Sequence, residues 1–148
     1  MLGENDPDTL SSMDGLACAL DNAGRHAEAV EMRRTTLEAR RRVLGEDDSD
    51  TLSSMDGLAL ALDNAGQHAE AVEMCRTTIE ARRRVLGEDD PDTLNSMNGL
   101  ACALGNAGRH AEAVEMFRTT LEARRRVLGE EHPYTLSSMN GLACALIR

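Results

Sequence analysis

The chain has 148 residues, 41% of them hydrophobic and 28% charged, with one Tyr, one Phe and no Trp. Its sixteen bases, all Arg, stand against 26 acids and leave a net charge of −10. Nucleic acid and anionic membranes both bind by having phosphate charge neutralised, so this balance argues against either as a partner.

The N-terminus, Met-Leu-Gly-Glu-Asn-Asp-Pro, lacks the basic and apolar parts of a signal peptide. No apolar run approaches the ~20 residues that cross a bilayer. These features predict a cytoplasmic protein. Four cysteines are present, at Cys18, Cys75, Cys102 and Cys144. None is spaced from another like metal ligands, and they read as small apolar residues in a reduced compartment.

Leu-Gly-Glu begins at Leu2, Leu44, Leu86 and Leu128, a period of 42 residues. Segments 2–43 and 44–85 agree at 36 of 42 positions, and segments 44–85 and 86–127 at 34 of 42. The chain is therefore one array, 1–148, of units 2–43, 44–85 and 86–127 followed by a half unit, 128–148.

Each unit reads as two helices. In the second, Asp48 is placed to cap a helix that starts at Ser49, where the first and third units have Pro7 and Pro91. Leu52, Met55, Leu58, Ala59 and Leu62 form its apolar stripe, and Gly66 closes it. The next helix runs from about His68 to Val85, with Ala71, Val72, Met74, Cys75, Ile79 and Ala81 on its apolar side. Arg82, Arg83 and Arg84 fill its last turn, where positive charge suits the helix dipole. The half unit repeats the first helix, with Met139, Leu142, Ala143 and Leu146 as its stripe. No segment alternates with a two-residue period. Seven helices are expected in an all-α solenoid of stacked antiparallel pairs, because one hairpin cannot bury its apolar side alone.

The joint Leu128-Gly129-Glu130-Glu131-His132-Pro133-Tyr134-Thr135-Leu136, with Leu58-Ala59, Gly66 and Glu70-Ala71, resembles the tetratricopeptide repeat in its 42-residue, kinesin-light-chain and nephrocystin-like form. The resemblance covers essentially the whole chain. It departs from the family where large aromatics are usual: Met55, Leu62 and His68 stand there, and a fourth such position holds Arg33, Cys75 and Phe117 in turn. Thr36, Thr78 and Thr120 replace a small inner Ala. Arg33 looks suited to a partly open end.

The resemblance implies a scaffold for protein partners, with the first helices lining a concave surface. Carrying over the family's inner positions selects Asp14, Asn22, Asp56, Asp63, Asn64, Asn98, Asn106 and Asn140 as peptide-binding residues. The N-terminal half of this surface holds four Asp, Asp14, Asp21, Asp56 and Asp63, and the C-terminal half has Asn or Gly instead. Amides can bond a peptide backbone through donor and acceptor, and carboxylates favour basic side chains. The expected ligand is an extended segment, its basic part over Asp14, Asp21, Asp56 and Asp63. Relatives that clamp acidic tails use Lys and Arg on this surface, and none is present here.

Three further features read as structural. The triplets Arg40–Arg42, Arg82–Arg84 and Arg124–Arg126 complement helix ends and pair with nearby acids. His26, His68 and His110, one per unit, stand in for packing aromatics. They are spaced too widely to share one metal ion. No catalytic constellation, phosphate loop, metal site or cofactor motif is evident, so no enzyme and no cofactor is expected. A second function class comes from the half unit. Met139, Leu142 and Leu146 lack a second helix to cover them and are candidates for self-association into a homo-oligomer. Repeats this similar fit either a natural segment or an engineered array.

Overall fold

The computed structural model describes residues 6–147. The first joint, Leu2 to Glu4, and Arg148 lie outside the described residues. Among the described residues there are seven helices and no strand: α1 Pro7–Asn22, α2 His26–Leu44, α3 Ser49–Asn64, α4 His68–Leu86, α5 Pro91–Asn106, α6 His110–Leu128 and α7 Pro133–Ile147. The fold class is the expected one, all-α and built from helix pairs.

The start signals act as the sequence suggests. The side chains of Asp6, Asp48 and Asp90 accept the backbone N–H of Asp8, Asp50 and Asp92 at 2.8–2.9 Å, which satisfies one of the helix's unpaired donors. The turn inside each pair is equally regular. In the first, Arg25 N–H reaches Leu20 O at 2.8 Å and Gly24 N–H reaches Asp21 O at 3.0 Å. Gly24 has φ +81°, which an L side chain resists, so the helix stops here in a Schellman turn. The joint between pairs is tied by a threonine: Thr93 donates to Gly87 O at 2.9 Å and Thr135 to Gly129 O at 2.8 Å.

The residues gather into two compact units, one up to Met74 and one from Cys75 onward, so the boundary falls inside α4. In the first unit α2 packs on α1 and α3; in the second α6 packs on α5 and α7. The core of each is the predicted stripe. Leu52, Met55, Leu58 and Leu62 are buried in α3, and Leu94, Met97, Leu100 and Leu104 in α5. Burial of each such side chain contributes about 1.5–3 kcal/mol. Thr36 and Thr120 are fully buried, and their hydroxyls are satisfied on Met32 O (3.0 Å) and Met116 O (2.8 Å). A Thr can therefore fill the small inner position without an unpaired hydroxyl.

Arg33 is not at an open margin. Its side chain is only 12% exposed. It lies across Gly57 of α3, where an added Cβ would sit 3.2 Å from Arg33 Cζ. Phe117 occupies the same position in the third repeat, over Gly141 of α7. The glycine inside the next helix is thus the socket for this one variable side chain.

No helix of the described residues is long and apolar enough to cross a membrane.

Candidate functional site

The eight expected peptide-binding residues all lie on first helices: Asp14 and Asn22 on α1, Asp56, Asp63 and Asn64 on α3, Asn98 and Asn106 on α5, Asn140 on α7. Asn22, Asn64, Asn106 and Asn140 are exposed; Asp14, Asp56, Asp63 and Asn98 are half-buried. One turn before three of the exposed amides stands an exposed small or apolar side chain: Cys18 before Asn22, Leu60 before Asn64, Cys102 before Asn106. Leu60 is 58% exposed although it is a leucine in the middle of a helix. Only Cys75 is a core cysteine; Cys18, Cys102 and Cys144 face out.

The acids of this set already have partners inside the chain. Arg40 Nη1 donates to Asp14 Oδ2 at 2.7 Å, and Arg33 Nη1 lies 3.8 Å from Asp14 Oδ1. His68 Nδ1 meets Asp63 Oδ1 at 2.5 Å, and His26 Nδ1 meets Asp21 Oδ1 at 2.9 Å. His26 and His68 are therefore not plain substitutes for packing aromatics. Each clasps the Asp five residues earlier, across the turn of its own pair.

The arginine triplets are not wholly surface charge. Their first members, Arg40, Arg82 and Arg124, are buried rather than displayed at a helix end. Arg40 Nη1 also donates to Ser54 Oγ at 2.6 Å. Arg124, 2% exposed, donates to Asn95 Oδ1 (2.7 Å), Ser138 Oγ (2.9 Å) and Tyr134 O (2.9 Å). Burial pushes the Arg124 guanidinium below the usual arginine range, and Tyr134 and Cys102 offset part of that. Its carbon also stands 5.3 Å from the Tyr134 ring centre, within cation–π reach. The second members behave as expected and reach the joints: Arg41 to Glu46 and Arg83 to Glu88 at 3.4 Å, Arg125 to Glu130 at 3.1 Å. A signal for the buried member was present. Arg40 follows Thr36 and Leu37 by four and three residues, on the same helical stripe.

The third repeat breaks the Asp–His pattern. Gly105 stands where the others have Asp21 and Asp63, and His110 Nδ1 is buried with no hydrogen-bond partner. Beside it is a cavity of about 270 Å³ lined by Ala101, Cys102, Gly105, Asn106, His110, Phe117, Gly141, Cys144 and Ala145.

The uncovered stripe of α7 is as the sequence suggests at two of three positions. Met139 and Leu146 are exposed, and Leu142 is half-buried. Leu136 joins them.

The tetratricopeptide repeat model matches residues 22–74, 61–126 and 103–148. No curated protein compared with the chain matches it. Among solved structures, a Podospora anserina protein described as a kinesin light chain with nearly identical TPR-like repeats is 31% identical. The match covers 98% of this chain and 69% of that one, with a TM-score of 0.81. BtubC from P. vanneervenii is 20% identical over 95% of this chain and 55% of that one, with a TM-score of 0.79. A TPR-like protein of Chlorobium tepidum is 23% identical over 93% and 90%, with a TM-score of 0.64. The last two are likenesses of fold alone. The fold class is accordingly the TPR-like α-solenoid type.

Proposed function

Because the chain belongs to the tetratricopeptide repeat family, whose fold generally serves as a protein–protein interaction scaffold, we propose that it binds an extended peptide segment through the exposed side of its first helices. The observation that carries this reading is the recurring exposed pair: Cys18 with Asn22, Leu60 with Asn64, Cys102 with Asn106. A small or apolar contact followed one turn later by an amide suits an extended chain, whose side chains alternate while its backbone offers donors and acceptors. Peptide-panel binding tests it. Asn22→Ala with Asn64→Ala is expected to weaken a selected peptide by roughly tenfold, the loss of about two hydrogen bonds; an unchanged Kd would refute the reading.

A basic component of the ligand has narrower support than the backbone contacts. Asp14 and Asp63 serve Arg40 and His68, so a Lys or Arg of the ligand would share carboxylates already engaged. Asp56→Asn with Asp63→Asn separates the two. Loss of affinity confined to basic peptides keeps the basic preference; equal affinity for neutral and basic peptides removes it.

A second reading, self-association, is favoured by α7. Leu136 and Leu146 are 46% and 55% exposed, whereas their counterparts Leu94 and Leu104 are 1% exposed. The surface fits a helix like α6, supplied by a second copy of the chain. Sedimentation across a hundredfold concentration range should show a dimer that Leu136→Glu with Leu146→Glu dissolves. A monomer throughout sinks this reading.

A further inference from the structure

We infer that the cavity between α5, α6 and α7 is a subsite for a single carboxylate, held by His110 Nδ1. The inference rests on the scaffold reading above and deepens it: the carboxylate is an Asp or Glu side chain of the bound segment.

The three repeats provide the argument. In the first and second, the Nδ1 of the leading histidine of the second helix faces a carboxylate oxygen, at 2.9 Å from Asp21 and 2.5 Å from Asp63. A carboxylate only accepts, so this nitrogen carries the proton and donates. In the third repeat the histidine stays and the acid is Gly105. Its Nδ1 is left buried and unpaired. An orphaned buried polar atom is costly, and the group that satisfies this nitrogen twice elsewhere in the chain is a carboxylate.

Space is available for that group. A Cβ built on Gly105 would meet only Ala113 Cβ, at 3.9 Å, an ordinary contact. The cavity of about 270 Å³ opens beside it. Phe117, Ala101 and Ala145 give the walls apolar contact, which suits the methylenes of a Glu. In the first repeat the position of Phe117 holds Arg33, and Asp21 fills the place of Gly105.

The charge of this face fits as well. The third repeat has Asn98 in place of Asp14 and Gly105 in place of Asp21, and α7 has Asn140 in the same place as Asn98. An incoming carboxylate therefore meets amides where it would otherwise meet like charges. This is a different device from a row of Lys and Arg: one imidazole N–H, one carboxylate, and a pocket for the rest of the side chain.

The test uses the full chain, labelled with nitrogen-15, and acetate as the probe at constant ionic strength balanced with chloride. Acetate should shift the His110 ring and the Gly105 and Asn106 amides saturably in the millimolar range. The rings of His26 and His68, whose sites hold their own Asp, should stay still. Gly105→Asp restores the internal acid and should abolish the response. Should that variant not fold, His110→Phe, read at the Asn106 amide, serves the same purpose. A blocked pentapeptide with a central Glu should displace acetate, and should bind at least tenfold more tightly than its Gln counterpart. An equal response at all three histidines, or one that survives Gly105→Asp, overturns the subsite. Peptides that bind along the first helices with no response at His110 overturn the subsite and leave the scaffold. Acetate binding with no peptide binding gives the site to a free small carboxylate and overturns its link to the scaffold.

Discussion

The first and third repeats differ at five of 42 positions: Asn5 and Asp89, Ser11 and Asn95, Asp14 and Asn98, Asp21 and Gly105, Arg33 and Phe117. The last three of these pairs replace a charged side chain with a neutral one. In the first repeat Asp14 serves both Arg40 and Arg33, and Asp21 serves His26. In the third, Arg33 has become Phe117, the carboxylate between the two arginines has become Asn98, and Arg124 is held by Asn95, Ser138 and a backbone carbonyl. The lesson is that the buried arginine is the fixed element and its acceptors are exchangeable. A guanidinium forks toward several acceptors at once, so amide, hydroxyl and carbonyl oxygens together can replace one carboxylate.

The largest test of that comparison is removal of the fixed element. Arg124→Ala should destabilise the second unit by about 3 kcal/mol, since it leaves Asn95 Oδ1, Ser138 Oγ and Tyr134 O short of a donor and empties a buried volume. Arg40→Ala should cost less, about 2 kcal/mol, because Asp14 keeps Arg33 and is partly open to water. Native-state hydrogen exchange is the suitable measure, since a repeat protein need not unfold in one step. Protection should fall in α6 and α7 for the first variant and in α2 and α3 for the second. Equal losses would break the distinction between the repeats.

Next in size is the socket beneath the variable side chain. Gly141→Ala places a Cβ 2.7 Å from Phe117 Cζ and 2.9 Å from Cδ1, and a ring cannot yield without moving α7. The expected cost is about 2 kcal/mol, the usual range for an overpacked core. Gly57→Ala meets the tip of Arg33 instead, a flexible end that can shift, and Ala is the better helix former by about 1 kcal/mol. It should be near neutral. Thermal unfolding of the two variants checks the contrast. A further variant that pairs Gly141→Ala with Phe117→Cys, the residue of the second repeat, should recover part of the loss.

Gly105→Asp runs the other way. It introduces the acid of the first two repeats opposite the unpaired His110 Nδ1 and replaces a helical glycine. Stabilisation of about 1 kcal/mol is expected, read as a higher Tm. A lower Tm would mean that His110 is oriented differently from His26 and His68.

How much of this was legible in the sequence follows a physical divide. Whatever depends on neighbours within a turn or two could be read: Asp48 as a cap, Pro91 at the first helical position, Gly66 after the last, and Leu52 to Leu62 as a stripe. The interior role of Arg40 could not be read from composition, because a run of three arginines at a helix end looks like surface charge. Its phase with Thr36 and Leu37 shows which of the three turns inward. The Asp21–His26 and Asp63–His68 clasps had a fixed five-residue spacing, but that spacing crosses a turn, and only the fold brings the two side chains together. Asp14 and Asp63 lie on the first helices α1 and α3. Their engagement with Arg40 and His68 depends on which side chains the second helices turn toward them.

The smallest predicted effect separates local pairing from pairing between helices. Glu112 at the start of α6 is bonded by Arg109 Nε at 2.5 Å and lies 3.8 Å from Arg76 of α4. The hydrogen bond from Arg109 is the main cause that holds its carboxyl below the ordinary 4.5; desolvation opposes it, and the charges of Arg109 and Arg76 add to the lowering. Glu70, its counterpart, has Gln67 in place of that local arginine and is bonded instead by Arg34 of α2 at 2.6 Å. Arg109→Gln therefore turns the third repeat into the second at this point. The Glu112 carboxyl, followed by carbon-13 NMR, should then titrate at higher pH, closer to 4.5, with only Arg76 left to hold it down. The sign for stability follows from the depressed value. The pair's contribution is complete above the unfolded pKa and fades as pH falls through the lower, folded one, so the variant and parent should differ most at neutral pH and converge in acid. The pair is exposed, so the difference should be small and shrink further in high salt. A titration that Arg109→Gln leaves in place would assign Glu112 to Arg76, and with it to the same pairing between helices that Arg34 makes with Glu70.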